Sequence, residues 1–191
     1  GYLNESEART NLALYSNDFS NAAWTKSGLT VTQDVTGPDG ETSGWTHTAV
    51  STACRGEQSF TVATSTSYVY SVYAKAGTTD FLYIAPVLFT TPTNSSGVWF
   101  DLSNGTVGTQ QNAAQVTGLI EDAGGGWYRC VIHILSTDAT DTTGVVRNNI
   151  VRANGVTTCL VGDSISLYGA QFEAGSTPSS YIPTNSGSAV T

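Results

Sequence analysis

The sequence predicts an all-β protein, an antiparallel β-sandwich of the jelly-roll kind with about ten strands, and three observations carry that prediction. Short apolar or alternating runs recur about every 8 to 14 residues between turn-forming clusters, the spacing expected of a sandwich or barrel. Ser and Thr make up roughly a quarter of the 191 residues while charged residues are 12% and Met is absent, a composition that favours pleated strands over helices. Nowhere do apolar residues repeat at three and four over a dozen positions, so no substantial amphipathic helix is expected and crossover α/β folds drop out. The length suits one domain.

Taken in order, residues 1–10 mix Glu, Ser and Arg without an apolar period and read as an N-terminal linker. A single domain is expected over 11–183, and 184–191, small and polar, reads as a C-terminal linker. Strands are expected over 29–35, 44–50, 58–62, 67–75, 81–89, 97–102, 106–110, 114–121, 126–135, 145–152 and 163–172, with one or two merging. The run Gly37-Pro-Asp-Gly40 separates the first two. In 67–75, alternation puts Tyr68, Tyr70, Val72 and Ala74 on one face and Val69, Ser71, Tyr73 and Lys75 on the other, so neither face is fully polar. Asn104-Gly105 supplies the positive φ values of a tight hairpin, and Gly124-Gly125-Gly126 ends another strand.

A net charge of −8 and only seven Lys and Arg repel phosphate backbones, so nucleic acid is not an expected partner. No apolar run approaches the roughly 20 residues of a membrane helix, and the start Gly1-Tyr-Leu-Asn-Glu5 does not resemble a signal peptide, so the piece reads as cut from something larger. Three cysteines permit at most one bridge and lack the spacing of a zinc site.

Catalytic constellations are not apparent. His47 and His133 are the available neutral-pH bases, and His133 lies in an apolar strand run. No nucleophile elbow or phosphate loop appears. Glu121 and Asp122 are adjacent and point to opposite faces, whereas a glycosidase needs two carboxylates on one cleft. Tyr128 and Arg129, which a polysaccharide lyase would place side by side, diverge for the same reason. Carbohydrate binding asks for less, namely aromatic rings for sugar faces and polar groups for hydroxyls, and four Trp and nine Tyr are permissive of it.

Several motifs occur together and in order: residues 11–26 with Asn17-Asp-Phe-Ser and Trp24, Tyr70-Ser-Val-Tyr-Ala-Lys-Ala76, Phe100-Asp-Leu-Ser-Asn-Gly-Thr-Val-Gly108, Gly126-Trp-Tyr-Arg129, Gly169-Ala-Gln-Phe-Glu-Ala-Gly-Ser176 and Ser180-Tyr-Ile-Pro183. Over residues 9–191 the chain resembles the jelly-roll modules of bacteriophage tail fibres and tailspikes, and more distantly it is similar to family 4 and family 22 carbohydrate-binding modules. That resemblance implies a non-catalytic module recognising a polysaccharide or cell-surface glycan beside neighbouring domains of a larger extracellular or virion protein. It further implies a structural calcium, with Asp163 at the start of the last strand as its first ligand to test, although Ser164 replaces the second Asp of the pattern. It also implies a Cys54–Cys159 bridge, and strand alternation leaves Cys130 a buried free thiol.

The candidate ligand-binding residues are Tyr73, Tyr83, Trp99, Tyr128, Arg129 and Gln171. In the pairs Trp99-Phe100 and Trp127-Tyr128 one ring should be core and the other outward, with register deciding which. Trp24 reads as packing. Neutral glycans are the default ligand, unless Lys26, Arg55, Lys75, Arg129, Arg147 and Arg152 gather on one face. The alternative readings are a structural or assembly module of a virion fibre that binds no sugar and, more weakly, a polysaccharide lyase or glycosidase.

Overall fold

The computed structural model describes residues 8–191; residues 1–7, most of the segment read as an N-terminal linker, lie outside them. It contains twelve strands: β1 (Thr25–Ser27), β2 (Leu29–Val35), β3 (Gly44–Ala49), β4 (Arg55–Thr61), β5 (Tyr68–Ala76), β6 (Phe81–Val87), β7 (Gly97–Asp101), β8 (Thr106–Gln111), β9 (Val116–Gly124), β10 (Trp127–Ile134), β11 (Thr143–Val151) and β12 (Ser164–Ala174). The described residues hold no helix. Each expected run holds a strand. The addition is β1, three residues without a period of their own, which form a strand because they pair with Arg55–Glu57.

Two six-stranded antiparallel sheets face each other. The first has the order β1-β4-β11-β6-β7-β8 and the second β2-β3-β12-β5-β10-β9. The core between them is built by the inward parity of each strand: Phe60, Leu82, Ile84, Phe100, Val146 and Ile150 from the first sheet meet Tyr68, Tyr70, Val72, Ile132, Leu167 and Phe172 from the second. Phe172 stacks on Tyr68 with ring centroids 4.9 Å apart, and the Tyr70 hydroxyl accepts from Asn148 Nδ2 across the interior at 2.7 Å. Burying apolar area of this kind contributes about 25 cal/mol per Å².

The hairpin joining β7 to β8 turns at Gly105, which has φ of 63°. Asp101 Oδ1 accepts the Ser103 and Asn104 amides and fixes the turn. A Cβ at Gly105 would also run into the Tyr128 ring, so glycine is required there twice over. In β12 the register against β5 shifts between Tyr168 and Gln171, a bulge with Gly169 at φ 58°.

The chain ends clasp that bulge. Asn11 is fully buried and donates to the Ala170 and Ile182 carbonyls while accepting the Ala13 and Phe172 amides. The segment 184–191, read above as a linker, opens on a buried Thr184 bonded to Ser16 and reaches an isolated bridge between Val190 and Asn11. Cys54, just before β4, is bridged to Cys159 in the loop before β12, while Cys130 is free and buried.

Candidate functional site

Each sheet has an outer face, and the predicted ligand residues divide between them. On the second sheet β5 turns Ser71, Tyr73 and Lys75 outward, β10 turns Trp127 and Arg129 outward, and β12 contributes Tyr168, Gln171 and Glu173. Tyr128 has the opposite parity and packs on the edge of the core, as the pairing with an outward Trp127 requires.

Beneath the C-terminal segment this face is a closed polar network. Gln171 is fully buried: its Nε2 donates to Glu173 and to Ser179 Oγ, and its Oε1 accepts the Ile182 amide. Glu173 accepts both the amide and the hydroxyl of Ser179. Arg129 donates to Ser71 Oγ and to the Ser179 carbonyl, with its guanidinium carbon 5.8 Å from the Tyr73 ring centre. Gln171 and Arg129 therefore fasten residues 179–182 to the sheet, and the amide of Gln171 together with Nε and Nη2 of Arg129 is bonded to the chain itself.

Beside the network the face opens. Tyr73, Tyr168 and Tyr181, all half-buried, contact one another edge to face with centroids 5.8, 6.3 and 5.7 Å apart. The bulge admits the third ring, because a Cβ at Gly169 would approach Tyr181 to 3.1 Å. Tyr181 is anchored through its hydroxyl to Ser16 Oγ at 2.7 Å. The Tyr168 hydroxyl bonds Asp39, and burial together with that carboxylate pushes its pKa up to about 12. The Tyr181 phenol is also raised, chiefly by burial.

A cleft of about 370 Å³, within the range of small-ligand sites, lies on the Trp127 side of Tyr168. Its walls are the 36–40 loop and the glycine turn at 123–125, and its floor is Trp127 and Lys75. Trp127 donates to the Thr36 carbonyl and meets Tyr168 at 6.5 Å. The Gly124–Gly126 turn runs at positive φ throughout, and Lys75 Nζ donates to the Gly125 carbonyl, which leaves protons of the ammonium free to turn toward the cleft. Tyr168 and Tyr181 were not among the predicted ligand residues. Tyr168 faces outward beside Tyr73 only through the β12–β5 register, whereas Tyr181 lay in the Ser180-Tyr-Ile-Pro183 motif without a strand to orient it.

The outer face of the first sheet holds Tyr83 and Trp99, stacked with centroids 3.9 Å apart and both buried. Trp99 is outward and Phe100 core, and its indole donates to the Val156 carbonyl. Next to this pair, Arg55 and Arg147 each donate Nε to the same oxygen of Glu57. The six cations considered above thus do not gather on one face. Arg55 and Arg147 share this one, Lys75 and Arg129 the other. Arg152 faces Asp163, and Lys26 donates to the carbonyls of Phe19, Ser20, Asn21 and Trp24.

Asp163 is nearly buried, and its Oδ2 accepts the Leu160 amide at 2.7 Å while facing Arg152 Nε at 3.4 Å. Calcium takes six to eight oxygen ligands. Among the described residues no three carboxylate, His or Cys side chains cluster in a way that could hold a metal ion, and Asp163 already has a cation beside it. The surroundings of Asp163 do not fit calcium. Of the two imidazoles, His47 is buried between the sheets against Phe19, its Nε2 without a partner and its pKa held at about 3 by burial and by Lys26. His133 is also lowered by burial.

No family model matches the sequence and no curated protein matches it. Among solved structures, the enzymatically active domain of tailspike protein 4 from bacteriophage CBA120 matches 86% of this chain at 13% identity with a TM-score of 0.50. The chain spans 21% of that tailspike chain. A second structure, described as a CBM4, matches 84% of this chain and 94% of its own at 15% identity and a TM-score of 0.46. The tailspike likeness is one of fold, a distant jelly-roll relationship.

Proposed function

We propose that this chain is a non-catalytic carbohydrate-binding module that recognises a polysaccharide or cell-surface glycan as part of a larger extracellular or phage-tail protein. The observation that carries the reading is the group of three half-buried tyrosines beside the cleft over Trp127 and Lys75. Sugar rings present C–H faces to aromatic side chains and hydroxyls to polar ones, and this site supplies both within one face. Lys75 in the cleft and Asp39 on the Tyr168 hydroxyl give this face one charge of each sign, which suits a neutral glycan. The fold likeness to the tailspike domain agrees with a tail-associated setting. The non-catalytic half of the reading is supported by the state of the bases: His47 is neutral and enclosed, and Glu57 is held between two guanidiniums.

The test is affinity electrophoresis against a panel of neutral and acidic polysaccharides, with reducing-sugar and unsaturated-uronate release measured on the same set and light scattering recording the oligomeric state. Retardation with micromolar to millimolar affinity, about −8 to −4 kcal/mol, and no released product is expected. Tyr168→Ala should weaken a neutral glycan about tenfold, ~1.4 kcal/mol. Silence across the panel from an oligomer would instead favour the assembly reading, and product release would overturn the non-catalytic one.

A further inference from the structure

The outer face of the first sheet carries a polar row that the tyrosine site does not use. Register sets it out directly: Ser27 pairs with Arg55, Arg55 with Asn149, Asn149 with Tyr83, and Tyr83 with Trp99, one residue from each of β1, β4, β11, β6 and β7. In the neighbouring row Thr25, Glu57 and Arg147 pair in the same way. Adjacent strands lie about 4.8 Å apart, so the two guanidiniums and the Asn149 amide fall within reach of one sugar-sized group.

Glu57 organises these cations. Its Oε2 accepts Nε of Arg55 at 3.1 Å and Nε of Arg147, and its side chain is only 17% exposed, against 30% and 29% for the arginines. Because both arginines are held through Nε, their Nη groups are left over, and none has a hydrogen-bond partner among the described residues. Asn149 is similar: its Nδ2 is spent on the Tyr83 carbonyl at 3.0 Å and its Oδ1 is free to accept. The trio carries one net positive charge on a chain whose total is −8.

We propose that this face is a second ligand site, one that takes a carboxylated sugar such as a uronate residue of an acidic polysaccharide. Planar guanidinium forks match a carboxylate in shape, and a single negative charge balances the trio, whereas Glu57 would repel a dianion such as a phosphate monoester. Sugar hydroxyls would meet Asn149 Oδ1 and Ser27 along the row. The site lies on the opposite side of the sandwich from the three tyrosines, so it stands or falls independently of the tyrosine reading.

The experiment is a titration of the isotopically labelled full chain with sodium galacturonate, with galactose and with sodium acetate, followed by two-dimensional NMR. Galacturonate should move the Arg55 and Arg147 Nε–H signals and the backbone of β4 and β11, while galactose leaves them in place and acetate moves them at least tenfold more weakly. Arg147→Gln should weaken galacturonate binding tenfold or more. Arg55→Gln, nearer the sheet edge, should do the same and serves if the first variant loses its fold. Tyr168→Ala should leave galacturonate binding unchanged. Equal response to galacturonate and galactose, equal affinity for acetate, or shifts confined to the tyrosine face would each overturn the proposal.

Discussion

Removing the Cys54–Cys159 bridge should cost more stability than any single core substitution short of a large aromatic. The cross-link closes a loop across a sequence separation of 105 and ties the entry to β4, in one sheet, to the loop that feeds β12 in the other. On the chain-entropy account, ΔS of about −2.1 − 1.5R ln n with n near 105 is roughly −16 cal/mol/K, or about 4.8 kcal/mol at 25 °C. Native contacts that survive reduction include the Cys159 amide to the Thr52 carbonyl and the Ile150 amide to the Cys54 carbonyl, so the native loop keeps its place and the change falls mainly on the unfolded chain. At about 2–4 °C per kcal/mol for a chain of this size, the melting temperature should fall by about 10–19 °C. The assay is guanidinium unfolding of oxidised protein, of the same protein held in reductant, and of a Cys54→Ala/Cys159→Ala variant. Reduction alone leaves the buried sulfurs in place and isolates the cross-link from the packing of the two side chains, which are both buried. A difference below about 1 kcal/mol between the oxidised and reduced forms would refute the reasoning.

Three further outcomes follow from the interior and from Asp163. His47 is held neutral with a pKa of about 3 against an ordinary value of 6.5, so the unfolded chain binds the proton first as pH falls. Stability is therefore full above about pH 6.5 and should decline by up to about 1.4 kcal/mol per unit below it, and His47→Gln should flatten that stretch of a pH-dependent denaturation curve. Lys26 Nζ sits among the Phe19, Ser20, Asn21 and Trp24 carbonyls at 2.8–3.2 Å, so Lys26→Met, which keeps the stem, should lose about 1–2 kcal/mol by the same measurement after allowing for its solvent exposure. With Arg152 facing Asp163, a chelator should leave the melting temperature within about 1 °C of its starting value; a larger fall would show a bound cation that supports the fold.

How far the sequence could be read depends on whether a feature is local. Side-chain alternation along a strand is a property of a few consecutive residues, and so the placing of Tyr70, Val72 and Ala74 on one face with Tyr73 on the other, and Cys130 as buried, follow from it, whereas which face is core does not. The turns at Gly105 and Gly124–Gly126 are local too, because only residues that tolerate positive φ serve there, although Asn104, expected to share that conformation, does not adopt it. Arg129 and Gln171 show the limit. Both face outward as alternation allows, but residues 179–182 lie over them and take their hydrogen bonds, and nothing near either residue in sequence announces that cover. Asp163 likewise stands one residue before the last strand, while its partner, Arg152, follows directly on the end of the preceding one.

Composition and local pattern were enough for the class of fold, an antiparallel sandwich, together with the parity of its strands and the position of its tightest turns. Which strand joined which sheet came from packing of the whole chain, and with it the meeting of Tyr73, Tyr168 and Tyr181 on one outer face and of Arg55, Glu57 and Arg147 on the other. The difference is one of range. Pleat and turn are set by backbone sterics within a few residues, whereas sheet order and the bulge at Gly169 are set by packing between segments more than a hundred residues apart, such as Asn11 with Ala170 and Ser16 with Tyr181.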